Sequence, residues 1–233
     1  MISRCGLMQR KDGMAMEDFK DYWLHVHGPI AAEMAHLRQY DQHAMVQALA
    51  VPGMAEGPVS IDGYSELQFD SYGDMREGVA SLNGKGVDDI PKFANPRCRI
   101  LVMAKRAVVK VPAHLQDAKL VQCVAFLGRA EGVCSARFDA QWWNVHDRLM
   151  QTVPGFVGYN QNLIIDRIDG GVSVPYRALP VEAVAELWFE TKGAFEEFCA
   201  SPEFARVRAH GAEFIGSVNA YLTETYPVVR PRA

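Results

Sequence analysis

Long basic runs, long apolar runs and paired cysteines are all missing from this 233-residue chain. Each absence removes a class of protein. Lys and Arg number 24 against 28 Asp and Glu, for a formal net charge of −4 and a pI near 6.0. Without a basic patch, phosphate-backbone binding has little electrostatic support, and no nucleic-acid partner is expected. No apolar stretch approaches the roughly 20 residues of a membrane span, so no membrane partner is expected either. Met1–Arg10 has no long apolar segment of the secretory type. The five cysteines (Cys5, Cys98, Cys123, Cys134, Cys199) are odd in number, widely scattered and contain no Cys-x-x-Cys. They read as reduced thiols of a cytoplasmic protein, and nothing resembles a zinc-ligand spacing, so no metal is expected. Gly84-Lys85-Gly86 reads as a turn. With no G-x-G-x-x-G element and no Ser-His-Asp order, a nucleotide cofactor is not supported.

What the chain does have is a long internal repeat. Phe19, Trp23, Val26, His27, Tyr40 and Gln42 recur as Phe138, Trp142, Val145, His146, Tyr159 and Gln161, all at an offset of 119 positions. Glu66, Leu67 and Phe69 recur as Glu186, Leu187 and Phe189 at an offset of 120, as one added loop residue requires. The period is far longer than the roughly 20–50 residues of a solenoid unit, so the chain holds two copies of one small domain. The first spans residues 1–112 and the second 118–233, joined by a connection interrupted at Pro112.

Each copy reads strand, helix, strand, strand, helix, strand. The first strands fall at 2–10 and 119–127. The first helices, 16–27 and 135–149, carry one apolar stripe at i, i+4, i+7 and i+11. Ser135 is the expected N-cap of the second. Strands follow at 40–48 and 157–165, then Gly- and Pro-containing loops, then Tyr64 to Phe69 and Val184 to Phe189. Helices are expected at 71–82, 192–200 and 203–215, and last strands at 99–109 and 218–226. Residues 85–97 are less regular. This order is the ferredoxin-like split βαβ plan, an α+β fold. Such a unit leaves one sheet face bare, and two units in one chain can pack those faces together around a pocket.

Strand parity nominates the chemistry. Leu67 and Phe69, like Leu187 and Phe189, face the helices. Tyr64 and Glu66, and Glu186 and Trp188, then face the space between the sheets. A carboxylate there is a candidate general acid or base, and equally a structural partner of an arginine. His27 precedes Gly28-Pro29, where a helix should break, placing its imidazole at a negative helix end. It is a candidate proton carrier, or a residue that holds the bend. His146 repeats it without the Gly-Pro, which points to one active pocket and one supporting pocket. Tyr40 and Tyr159 could donate to an enolate oxygen, or sit as hydrogen-bonded aromatics at a sheet edge. Trp23, Trp142, Tyr64, Trp188 and His43 are assigned to the substrate walls, with packing the competing role for the two helix tryptophans. Parity puts His43 on the face opposite Tyr40.

Phe19, Tyr22-Trp23, His27-Gly28-Pro29 and Tyr40, followed by Glu66-Leu67 and Phe69, resemble the EthD-like family of the dimeric α+β barrel superfamily. Phe138, Trp142, His146 and Tyr159 resemble it less fully. The resemblance covers nearly the whole chain and implies a barrel made by one chain instead of two. Pairing of two such chains as a homodimer stays open. It implies a small-molecule substrate and cofactor-independent lyase or isomerase chemistry on a cyclic, aromatic-derived acid or lactone. His27 and Tyr40, with Tyr159 and His146, would line the site, and Glu66 or Glu186 would carry a second proton. Cofactor-free monooxygenation of a phenol, a haem-using enzyme, and a non-catalytic ligand-binding stress module are the alternatives. A shared fold does not decide among them.

Overall fold

A computed structural model describes residues 1–230; the last three residues of the second repeat lie outside the described residues. The first repeat runs β1 (Ile2–Met8), α1 (Met16–Tyr22), α2 (Gly28–Ala32), β2 (Gln39–Leu49), β3 (Ala55–Glu56), β4 (Gly63–Phe69), α3 (Tyr72–Ser81), α4 (Lys85–Asp89) and β5 (Arg99–Val109). The second runs β6 (Val121–Arg129), α5 (Ser135–Ala140), α6 (Asp147–Met150), β7 (Gly158–Asp169), β8 (Val172–Ser173), β9 (Ala183–Phe189), α7 (Lys192–Ala200), α8 (Pro202–Gly211) and β10 (Ile215–Val229). Ser71, Thr191 and Ser201 cap α3, α7 and α8, each accepting from the backbone N–H three residues on. Ser135 does not cap α5. Cys134 holds that position without a side-chain bond, and the Ser135 hydroxyl turns to Glu182.

The long strands pair in the order β2-β4-β1-β5-β7-β9-β6-β10, and β10 pairs back onto β2. Two ferredoxin-like sheets thus close into one barrel within a single chain, with the helices outside. The seams between repeats are the antiparallel pairs β5–β7 and β10–β2. Closure leaves no long edge among these strands. The lumen is apolar at one end, where Val59, Ile61, Leu179 and Val181 from two loops pack with Phe126, Tyr221 and Met103. The Tyr221 hydroxyl donates to the Val59 carbonyl at 2.6 Å and ties one of those loops down.

The helix does not break after His27. Trp23–His27 forms a π turn, in which Gly28 N–H bonds the Trp23 carbonyl, and the helix continues through Pro29 to Ala32. Gly28 keeps αR geometry before proline because it has no Cβ to meet the ring. A Cβ there would lie 3.2 Å from Gln42 Nε2 and 3.3 Å from the Trp23 carbonyl oxygen. The second repeat has the same π turn at Gln141–His146. In both, a strand glutamine reaches it: Gln42 Nε2 donates to the Trp23 carbonyl at 2.8 Å, and Gln161 Nε2 to the Trp142 carbonyl at 2.9 Å. The same amides donate to the Tyr40 and Tyr159 hydroxyls at 2.8 and 3.0 Å. The recurring Trp, Tyr and Gln therefore lock each helix to its sheet. Gln42→Leu strands a buried phenol and a carbonyl. A stability loss of about 1–3 kcal/mol is expected in urea unfolding, and an unchanged midpoint contradicts the lock.

Candidate functional site

The register Asp41↔Glu66 and His43↔Tyr64 between β2 and β4 sends these four side chains into the lumen and Tyr40 and Gln42 to the helix side. Glu66 and Glu186 meet in the lumen as parity predicts, 2% and 0% exposed. Lys105 on β5 joins them, its Nζ 2.6 Å from Glu66 Oε1 and 3.4 Å from Glu186 Oε2. Ser3 donates to Glu66 at 2.8 Å. Tyr64, Asn160 and Asn162 donate to Glu186 at 3.2, 3.0 and 3.1 Å. Burial pushes the Glu66 carboxyl up, but Lys105 and His43 outweigh it and hold it well below the ordinary range. Burial lowers Lys105, and the two glutamates reverse that and keep it protonated. Burial and the same glutamates raise the Tyr64 phenol. Lys105 has no sequence signature. The only signal for it is parity with Leu101 and Met103 on the lumen face of β5.

His27, Tyr40, Tyr159 and His146 do not join this cluster, because the sheet lies between. His27 is buried against Phe93, ring centroids 4.9 Å apart, with Nδ1 3.0 Å from Asp89 Oδ2. Tyr22 donates to the other oxygen of Asp89 at 3.0 Å, and Lys92 reaches it at 3.1 Å. Burial lowers the His27 pKa, with Asp89 partly opposing. Trp23 packs in the same layer against Phe19, ring centroids 5.3 Å apart and planes tilted by 35°. Tyr40 is raised by burial and sealed under the helix.

The second repeat is different. Between its helices and sheet lies a cavity of about 390 Å³, bordered by Trp142, His146, Tyr159, Phe198, Phe204 and Arg208 among others. Its floor carries small side chains, Cys123, Ala125 and Ala185, and the largest difference from the first repeat is Cys123 at the position of Arg4. His146 Nδ1 lies 3.4 Å from His210 Nδ1, and His210 Nε2 lies 3.0 Å from Gln141 Oε1. An amide oxygen only accepts, so His210 carries its proton on Nε2, and His146 donates from Nδ1. That leaves the lone pair of His146 on Nε2. Burial, and secondly His210, depress the His146 pKa to about 3. Burial raises the Tyr159 phenol, so it stays protonated. Its oxygen already accepts from Gln161, which leaves its proton to donate. Buried Trp142 Nε1 and Arg208 Nε have no hydrogen-bond partner among the described residues. The Gly-Pro of the first repeat sets the two pockets apart in the sequence; in the structure the cavity opens in the second, beside the α7–α8 pair and over Cys123 at the position of Arg4. Trp188, Tyr64 and His43 stay on the lumen side, remote in layer from Trp23 and Trp142.

The depressed histidine has a sign in stability. Between its folded value and an unfolded value near 6.5, the unfolded chain binds the proton, so stability falls as pH drops through that window. Between pH 7 and pH 4.5 the loss from His146 should be about 2–3 kcal/mol, at about 1.36 kcal/mol per unit. Urea midpoints of His146→Gln at both pH values should show a correspondingly smaller loss. Parallel acid limbs in variant and wild type contradict the burial reading.

Fold and repeat define a tandem α+β barrel of ferredoxin-like units. The EthD domain family matches residues 11–97 and 130–217, and the chain belongs to that family. Comparison with curated proteins gives no significant sequence match. Three solved structures share the fold across their length. An anthrone oxidase-like protein has 9% identity and a TM-score of 0.65, with 100% of this chain and 95% of that one covered. A candidate monooxygenase from Lactobacillus acidophilus NCFM has 12% and 0.57, with 99% and 96% covered. Another from Fusobacterium nucleatum has 8% and 0.62, with 100% and 95% covered. At these identities the likeness shows the fold alone. No helix among the described residues is long and apolar enough to cross a membrane.

Proposed function

We propose that the second-repeat cavity binds a small aromatic substrate and oxygenates it without an organic cofactor. The observation that carries this reading is an apolar cavity of ligand size bordered by a neutral imidazole and a protonated phenol. His146 takes a proton from a benzylic carbon that is conjugated to a carbonyl through an aryl ring. Tyr159 donates to the enolate oxygen. A weak base suffices at the moment of transfer, because the developing anion favours imidazolium and raises its pKa. The electron-rich anion then reduces O₂ itself. For a methylene between two aryl rings, two C–H bonds break and one C=O bond forms. One oxygen atom enters the product and the other leaves as water with the two hydrogens, so no external reductant is needed. The oxidase and monooxygenase names of full-length structural relatives support this choice over the lyase or isomerase reading.

Anthrone under ¹⁸O₂, followed by mass spectrometry, tests it. One labelled oxygen in the ketone product and no turnover without O₂ are expected. Anaerobic conversion to an isomer or a cleavage product moves the assignment to the lyase or isomerase class. A Soret band on adding haemin moves it to haem chemistry.

A further inference from the structure

On the lumen side, and independent of the cavity above, Asp41, His43 and Glu66 bring one ligand-capable atom each to within 4.8 Å of the others. All three are buried. They belong to two adjacent strands, which is why no ligand spacing shows in the sequence. His43 is held by its other nitrogen: Nδ1 lies 3.0 Å from Gln122 Oε1 and 2.9 Å from Thr225 Oγ1. The Gln122 oxygen also receives the Thr223 and Thr225 hydroxyls, at 3.0 and 2.6 Å. It can only accept, so the His43 proton sits on Nδ1 and the Nε2 lone pair is presented to the cluster. The ring is fixed further by stacking on Tyr64, centroids 4.2 Å apart and planes 11° apart.

That Nε2 has no hydrogen-bond partner among the described residues, although the side chain is only 4% exposed. It lies 3.8 Å from Glu66 Oε2. Glu66 gives Oε1 to Ser3 and Lys105, leaving Oε2 on the His43 side. The contact with the carboxylate oxygen is favourable only with positive charge on this side of the ring, a second proton on Nε2 or a cation held between the two atoms. Asp41, Glu66 and Glu186 carry three negative charges in this region against one positive charge on Lys105, so a divalent ion balances them. One imidazole nitrogen with two carboxylates suits a first-row transition ion better than calcium or magnesium, which take oxygen ligands. The three residues also border a cavity of about 1130 Å³ at the barrel mouth, which provides an entry path.

We propose that Asp41, His43 and Glu66 form a binding site for one divalent first-row transition ion at the mouth of the barrel. Its remaining coordination positions face the mouth cavity and take water or an anionic ligand.

Chelator-stripped full-length protein titrated with Co²⁺ tests the site through visible ligand-field absorption. One equivalent should bind saturably. His43→Gln and Asp41→Asn should each weaken binding by at least roughly tenfold. His25→Gln/His36→Gln, on exposed helix and loop positions, should bind as wild type does. Absence of saturable absorption in wild type overturns the proposal. So does wild-type affinity in His43→Gln, or loss of binding in the surface variant, which places the ion outside the barrel. Circular dichroism checks folding; if the lumen variants unfold, the wild-type stoichiometry and the surface variant still decide.

Discussion

Replacing Lys105 with methionine should lower the unfolding free energy by about 3–5 kcal/mol, the cost of breaking a buried ion pair from one side. Methionine fills most of the lysine volume, so little of the loss comes from packing. Its origin is electrostatic: Glu66 and Glu186, both buried, are left facing one another without their shared counter-charge. Each keeps its neutral donors, Ser3 for one and Tyr64, Asn160 and Asn162 for the other. Those donors do not neutralise charge. Glu66→Gln added to Lys105→Met should recover part of the loss, because one carboxylate no longer needs a counter-charge. The measurement is urea unfolding at neutral pH with chelator present, so that no bound ion contributes. A loss below about 1 kcal/mol would mean that the lumen is wet enough to solvate both carboxylates. Because Lys105 belongs to the first repeat and Glu186 to the second, the pair also couples the two halves. The variant should therefore broaden the transition if the repeats begin to unfold separately.

The second large effect separates two histidines that the sequence presents as equals. His146→Ala should lower kcat/KM for the oxygenated substrate by about 10²–10⁴-fold, the usual contribution of a positioned general base. His27→Ala should leave kcat/KM within a few-fold and reduce stability instead. The difference follows from surroundings. His27 is closed in by Phe93 and engaged by Asp89, with Tyr22 and Lys92 on the same carboxylate. His146 packs on Trp142 and Phe214 but also borders open volume, and its one side-chain hydrogen bond among the described residues is to His210. The pH profile adds a second readout: with its pKa near 3, His146 stays unprotonated from pH 5 to pH 8, so kcat/KM should be flat there. Equal losses in both variants, or an acid limb near pH 6.5, would defeat the assignment of the base to His146.

Much of this was readable in the sequence. The offset repeat and the alternation around Glu66 and Glu186 are local patterns with fixed periods, and they were enough for two ferredoxin-like units and for two glutamates meeting between sheets; the expected helix stripe holds at Phe19, Trp23, Phe138 and Trp142 but not at Val26 and Val145, which the π turns leave exposed while His27 and His146 are buried. Parity alone also places His43 and Tyr40 on opposite faces of β2, as the register shows. The recurrence of His, Tyr and Trp could not say whether a residue lines a cavity or fastens a helix, since both roles are copied with the fold. Gly28-Pro29 suggested a helix end because the π turn depends on Gln42, a residue from a different element. Three things needed the tertiary structure. Lys105 became the counter-charge of both glutamates only when β5 crossed to the second repeat. The cavity arose from small residues on β6 and β9 facing α7 and α8. Asp41, His43 and Glu66 met only through the register of β2 on β4. Sequence periodicity determines which face a side chain takes, because backbone geometry sets it residue by residue. Which faces meet, and what space is left between them, depends on contacts between residues far apart in the chain, and those are fixed only when the barrel closes.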